Sequence, residues 1–76
     1  MYIIEKDYKK SMYNDDNPLE LVQYTDGKRL IHGASDNVSK LIEFFYKYRA
    51  HHGAMTVEDA SDNNRTLATM AGKGTF

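Results

Sequence analysis

Short runs that alternate apolar and polar residues open the chain and predict β-structure. Residues 2–8 place two tyrosines and an isoleucine on one face at a period of two, which is typical of a strand. Residues 14–18 are five turn-forming residues in succession, and the last of them, Pro18, disfavours the helical conformation for Asn17. The pattern therefore predicts an opening strand over 2–8 and a loop over 11–18.

The next β-capable stretch predicts a hairpin. Residues 19–25 and 28–32 are both suited to strands, and only Asp26 and Gly27 separate them. Glycine tolerates the positive φ that a tight turn demands, so an Asp-Gly pair in this position is a strong short-range hairpin signal. We expect an antiparallel hairpin over 19–32.

The apolar spacing then changes to a helical period, which predicts the main helix over 36–52. Ser35 or Asp36 is expected to cap its N-terminus, and Gly53 to end it. On a helical wheel the apolar side chains span an arc of about 200°, roughly twice the width that one sheet face covers on a surface helix. The arc contains Val38, Leu41, Ile42, Phe44, Phe45, Tyr46 and Tyr48, while Lys40, Glu43 and Lys47 occupy the remaining side.

The C-terminal quarter supports two interpretations. Residues 54–71 form either a second hairpin, with its turn at 61–64, or a helix capped at Asp62. The β-branched residues and the two adjacent asparagines favour the hairpin slightly, and the tail 73–76 is expected to fray. The predicted fold class is α+β: a small antiparallel sheet of three to four strands, with two hairpins, packed against one main helix.

Length and composition set the bounds on function. The 76 residues are 41% hydrophobic and 28% charged. This composition suits a single globular domain over 1–76, and its apolar content is higher than that of disordered chains. The net charge is −1 with neither sign gathered in one half, which argues against a generic nucleic-acid binder. The absence of cysteine excludes disulfides and thiol catalysis. No signal-peptide pattern or membrane-length apolar run occurs, so a cytoplasmic location and no membrane partner are expected.

Histidines are the main candidates for catalysis or transition-metal binding. His51 and His52 are adjacent and would point about 100° apart on a helix, so they are poorly placed to chelate one ion, and His32 lies elsewhere. Ser35 lies near His32 in sequence, but the glycine pattern of a nucleophile elbow is missing. We therefore expect no enzymatic activity, and any enzyme reading would need one of these histidines as its base.

A calcium loop is the remaining metal motif to consider. Asp59, Ser61 and Asn63 match the first alternating ligand positions of such a loop, but the glycine at its sixth position and the glutamate at its twelfth are missing. A turn is therefore the expected structure of this segment, and neither a metal nor a cofactor is expected.

The tyrosines and the wide apolar arc of the helix favour a protein-binding function. Six tyrosines exceed what so small a core needs, and exposed tyrosine is enriched at protein interfaces. We expect a non-catalytic inhibitor or adaptor that occludes a surface on a larger protein complex, similar in size and style alone to phage and mobile-element proteins that act against host machinery. Self-association into a homo-oligomer stays open. The predicted partner-binding residues are Phe44, Tyr46 and Tyr48 on the helix, Tyr24 on the hairpin, and Asp15 and Asp16 at the rim.

A nucleic-acid-binding function is the alternative. Basic and aromatic residues interleave in the N-terminal segment, as they do in proteins that bind single strands by stacking. Such a protein would lose affinity steeply as salt rises. The residues predicted for this function are Lys6, Tyr8, Lys9, Lys10, Tyr13, Lys28 and Arg29.

Overall fold

Within residues 16–72, a four-stranded antiparallel sheet with one helix across a face forms the α+β architecture that the sequence predicts. The computed structural model of the protein describes residues 16–72, so the predicted strand 2–8, the first part of the loop 11–18 and the tail 73–76 lie outside the described residues. The strands follow the order β2-β1-β3-β4 across the sheet. They are β1 (Leu19–Thr25), β2 (Lys28–Ser35), β3 (Met55–Asp59) and β4 (Arg65–Met70).

The hairpin of β1 and β2 forms around the predicted Asp-Gly turn. Asp26 and Gly27 both have positive φ, at 53° and 71°, as a tight two-residue turn requires. Strand β2 runs three residues beyond the predicted hairpin end, as far as Ser35. An irregularity in the register interrupts the pairing, because Leu21 pairs with Gly33 while Val22 pairs with Ile31. His32 is therefore the extra residue of a β-bulge, which bends the strand locally.

The helix covers residues 38–52 and changes its winding along its length. It begins as α1 (Val38–Phe44), continues as a π-helical segment (Phe45–Arg49) and closes with a 3₁₀ turn (Ala50–His52). Gly53 ends it with a φ of 109°, a conformation that favours glycine.

The start of the helix differs from the prediction. Asn37 is the N-cap, and its side-chain oxygen accepts hydrogen bonds from the backbone N–H groups of Ser39 and Lys40. Neither Ser35 nor Asp36 fills this role, because pairing with Leu19 keeps Ser35 in the extended conformation of β2. The predicted start at residue 36 is therefore two residues early.

The second hairpin is formed by β3 and β4, so the helical interpretation of residues 54–71 is wrong. Asn63 and Asn64 both have positive φ, which asparagine tolerates better than most residues do. Asp59 accepts hydrogen bonds from the backbone N–H and the hydroxyl of Ser61, so it stabilises the turn by a local side-chain contact. The segment that matched the start of a calcium loop is this turn.

The hydrophobic core lies between the helix and one face of the sheet. Leu41 and Phe45 are fully buried against this face, so the helix is held at two successive turns. Met55, Val57 and Leu21 oppose them from the sheet. No helix within residues 16–72 has the length and apolar character needed to cross a bilayer.

Candidate functional site

The outer surface of the helix carries a groove where the apolar arc meets the charged side. Five side chains at helical spacings i, i+3, i+4, i+7 and i+8 line a cavity of about 190 Å³. We call this surface the helix groove; its residues are Lys40, Glu43, Phe44, Lys47 and Tyr48.

Two aromatic rings form the apolar part of the helix groove. The ring centroids of Phe44 and Tyr48 lie 5.2 Å apart at a tilted angle, a favourable aromatic contact. Phe44 is half-buried, whereas 52% of Tyr48 is exposed. A cation lies over each ring: Lys47 Nζ is 5.3 Å from the centroid of Tyr48, and Arg49 Cζ is 5.0 Å from that of Phe44.

Arg49 is held in place by two hydrogen bonds, one to the buried His32 and one to the helix backbone. Its Nε donates to Nδ1 of His32 at 3.2 Å, and its Nη1 donates to the backbone carbonyl of Tyr48 at 3.1 Å. Burial lowers the pKa of Arg49 from its usual value. The guanidinium over Phe44 is therefore fixed by the fold as well as by its contact with the ring.

His32 continues the chain of hydrogen bonds into the protein interior. Because an arginine Nε always donates, Nδ1 of His32 must be the unprotonated nitrogen. Its Nε2 then donates to Oε1 of Gln23 at 2.9 Å, and Gln23 Nε2 donates to the carbonyl of His52 at 2.5 Å. Burial, helped by the nearby His52, lowers the pKa of His32 to about 4, so the ring is neutral near pH 7.

The π-helical winding coincides with this part of the helix. Segment Phe45–Arg49 contains Tyr48 and Arg49, and it begins at the fully buried Phe45. Single turns of π-helix are rare within α-helices and occur frequently at functional sites. The sequence pattern gave no sign of this change in winding.

Tyr46 belongs to a different side of the helix from Tyr48. Residues two apart on a helix lie about half a turn from each other. The ring of Tyr46 packs edge-on against Phe45 at 5.0 Å, and 54% of the residue is exposed. Of the three helix residues predicted to bind a partner, the structure thus brings Phe44 and Tyr48 together and places Tyr46 apart.

Tyr24 lies on the opposite face of the sheet, in a second polar cluster. Its hydroxyl donates to Glu58 Oε2, and Arg29 Nη2 contacts Glu58 Oε1 at 2.7 Å and Glu20 Oε1 at 3.5 Å. Glu20 and Glu58 are paired across β1 and β3 and are almost fully buried. Arg29 therefore joins three neighbouring strands.

The electrostatics of this cluster keep Glu58 ionised. Burial acts to raise the pKa of Glu58, but the hydrogen bonds from Arg29 and Tyr24 outweigh it and the pKa is lowered. The hydrogen bond to Glu58, together with burial, raises the pKa of Tyr24. Arg29 was predicted as a nucleic-acid contact, and here its guanidinium is committed to buried carboxylates of the same chain.

The other predicted binding residues fall into two groups, those that the structure describes and those that it does not. Lys28 is exposed at the tip of the first hairpin, and Asp16 is exposed ahead of β1. The remaining predicted residues lie outside the described part of the chain: Asp15, Lys6, Tyr8, Lys9, Lys10 and Tyr13.

A second cavity, of about 170 Å³, lies near Tyr24 where β1 extends beyond its pairing with β3. Its walls are mostly apolar and include no charged side chain among the residues described. They are formed by Val22, Tyr24, Ala54, Met55, Thr56 and Thr69.

Metal ligands are not gathered anywhere in the described part of the chain. Within residues 16–72, no three His, Cys, Asp or Glu side chains are placed to share an ion. His51 is exposed, and the ring of His52 lies 5.6 Å from that of His32.

Sequence reasoning missed the residues that organise the helix groove. It placed Lys40 and Lys47 only on the side of the helix outside the apolar arc, and it did not connect Arg49 with His32. The spacing of four residues between Phe44 and Tyr48 was the available signal for the ring contact. Comparison of the chain with protein-family models, with curated proteins and with solved structures finds no match.

Proposed function

We propose that this chain is a non-catalytic protein-binding module, an inhibitor or adaptor, which uses the helix groove to cover a surface on a larger protein. The observation that supports this most is the Phe44–Tyr48 pair. It presents aromatic surface to solvent while a cation lies over each ring. Exposed aromatic side chains next to arginine have the composition of interface hot spots.

Preorganisation adds to the case. Binding costs free energy when it immobilises flexible side chains, so a surface that is already ordered loses less on association. Arg49 is fixed by His32, and His32 in turn by Gln23. The partner would therefore meet a guanidinium over Phe44 whose position is set by the core of the protein.

The chemistry of the buried histidine argues against a catalytic role for that residue, one of the three histidines considered as a base. A general base needs a ring nitrogen that can reach a substrate. Both ring nitrogens of His32 are occupied by Gln23 and Arg49, and the residue is only 1% exposed. The nucleic-acid alternative draws less support, since Arg29 pairs with buried carboxylates.

Affinity capture of the tagged full-length chain from lysate of its native cell tests the proposal. Tyr48→Ala is the test variant and Tyr46→Ala the matched control, because both tyrosines are more than half exposed on the same helix but lie on different sides. We expect a stoichiometric partner with the wild type and the control, and a loss of about tenfold or more with Tyr48→Ala.

Thermal melting would confirm that both variants remain folded, and light scattering would measure the stoichiometry of the eluted complex. A partner retained equally by Tyr48→Ala, or the absence of any partner, would show that the helix groove is not a protein-binding surface.

A further inference from the structure

The helix groove is more positive than the rest of the described chain. Residues 16–72 contain six basic residues (Lys or Arg) and eight acidic residues (Asp or Glu). Three of the basic residues border the groove, namely Lys40, Lys47 and Arg49. Only one of the acidic residues, Glu43, does so. Within residues 16–72, the groove is therefore a basic surface on a body that is otherwise acidic.

The two lysines have no partner that neutralises them among the described residues. Within 16–72, no carboxylate lies within 4.0 Å of the ammonium group of Lys40 or Lys47. Glu43 is at helical spacing from both lysines, but it forms no ion pair with either. Both charges thus remain available to an anionic group brought in by a partner.

We propose that the occupant of the helix groove is an acidic protein segment that places an apolar side chain against Phe44 and Tyr48, with flanking carboxylates beside Lys40 and Lys47. This inference rests on the proposed function and adds the chemistry of the partner. The rings supply apolar contact area at the centre, and the lysines supply charge at the rim, where it governs specificity and rate of association.

A second copy of the chain is a poor occupant of the same surface. A symmetric dimer through the groove would bring the identical surface of each copy face to face. The groove is lined by two lysines and one glutamate, so two copies of it would meet with a net like charge, which costs free energy at an interface. Nucleic acid also suits a basic patch, but the acidic remainder of the described chain would repel a long polyanion.

Selection from a random library of displayed peptides, about 12 residues long, against the immobilised full-length chain tests the proposal without presuming a sequence. We expect the enriched peptides to carry two or more Asp or Glu beside an aliphatic or aromatic residue. Their affinity, measured by fluorescence anisotropy on synthetic copies, should fall as salt rises from about 50 mM to about 500 mM.

Variants of the chain then identify the surface. The double variant Lys40→Glu/Lys47→Glu should weaken peptide binding about tenfold or more, and Glu43→Gln should strengthen it severalfold by removing the one acid at the groove. Lys28→Glu, at the distant hairpin tip, is the matched control and should change the affinity less than about twofold.

The outcomes separate this inference from the proposed function. Peptides that depend on Tyr48 but lack acidic residues would overturn the acidic segment and leave the protein-binding groove intact. A selection that enriches no peptide would also overturn the acidic segment. So would acidic peptides whose binding is insensitive to the lysine variants, whatever the capture experiment gives. A single-stranded oligonucleotide is tested in the same assay. If it binds in a way that depends on Lys40 and Lys47, and the peptides do not, the occupant of the groove is nucleic acid.

Discussion

Nδ1 of the buried His32 accepts a hydrogen bond from Nε of Arg49 at 3.2 Å. The guanidinium so fixed lies 5.0 Å from the ring of Phe44, on the outer surface of the helix. A bulge residue in the sheet therefore determines where a cation stands in the candidate binding surface. Stability and binding are expected to be coupled through this one contact.

Replacing His32 with Leu should destabilise the fold. The change removes the hydrogen bonds that Oε1 of Gln23 and Nε of Arg49 make with this ring, at a cost of about 2 kcal/mol in the free energy of unfolding. Urea denaturation monitored by circular dichroism measures the loss. His32→Gln, which retains a donor and an acceptor, should lose less, and an equal loss in both variants would show that shape rather than hydrogen bonding matters here.

Stability should fall as the pH drops below about 6.5. His32 has a pKa of about 4 in the folded state against 6.5 for the ordinary side chain, so the unfolded chain takes up the proton first. The stabilising contribution is full above pH 6.5, declines down to about pH 4, and is on the order of 3 kcal/mol. Urea midpoints measured from pH 7 to 4.5 test this.

His32→Gln provides the control for the pH series, since it removes the titrating ring. Glu58 does not interfere in the upper part of the range: its pKa is lowered, so its contribution is present above about 4.5 and is lost only as the pH falls further. If wild type and His32→Gln lose stability in parallel between pH 6.5 and 5, the assignment to His32 is wrong.

Arg29→Met should be among the more damaging single substitutions on the sheet. It strips the nearly buried carboxylates of Glu58 and Glu20 of a shared guanidinium, and removing one partner of a buried ion pair costs about 3 kcal/mol. Adding Glu58→Gln should recover part of that loss, because it removes one of the buried charges. Chemical denaturation of the single and double variants gives the coupling, and additive effects would argue against the pair.

Tyr24→Phe isolates the hydroxyl in the same cluster. The hydroxyl donates to Glu58, so its removal should cost about 1 kcal/mol while the exposed ring stays in place. Tyr46→Phe removes the hydroxyl of a tyrosine that is more than half exposed on the helix. It should leave the free energy of unfolding almost unchanged in the same denaturation assay. Equal stability of the two variants would contradict the contribution of the hydrogen bond.

Asn37→Ala tests the position of the helix cap. Loss of the bonds to the N–H groups of Ser39 and Lys40 should lower the free energy of unfolding by about 1 kcal/mol. Asp36→Ala, one residue earlier and exposed, should have little effect. A larger loss from Asp36→Ala in thermal or urea unfolding would restore Asp36, one of the two caps that the sequence predicts.

The local elements of the fold follow from short-range signals. Asp26-Gly27 predicts the first turn because only a few residue types accept positive φ, and the structure confirms it. The helical period of apolar residues correctly located the helix. Its cap was misplaced because Ser35, a good capping residue, is held in β2 by pairing with Leu19, a partner far away in sequence.

The candidate site depends on contacts that no local pattern specifies. The sequence shows an excess of aromatic surface on the helix, but its pattern predicts neither the π-helical turn that contains Tyr48 and Arg49 nor the bulge at His32. Arg49 and His32 are 17 residues apart, and they meet only because the helix crosses the sheet.

By itself the sequence determined the α+β class, the first hairpin and, by a slight preference, the second hairpin. It also showed that aromatic residues are left over after a small core is filled. Tertiary structure alone decided that Phe44 and Tyr48 share a groove, that Tyr46 and Tyr24 lie elsewhere, and that Arg29 is internally neutralised. The reason is physical: turn chemistry and periodicity act between near neighbours, whereas the pairing of buried polar groups is settled only when distant strands and the helix come together.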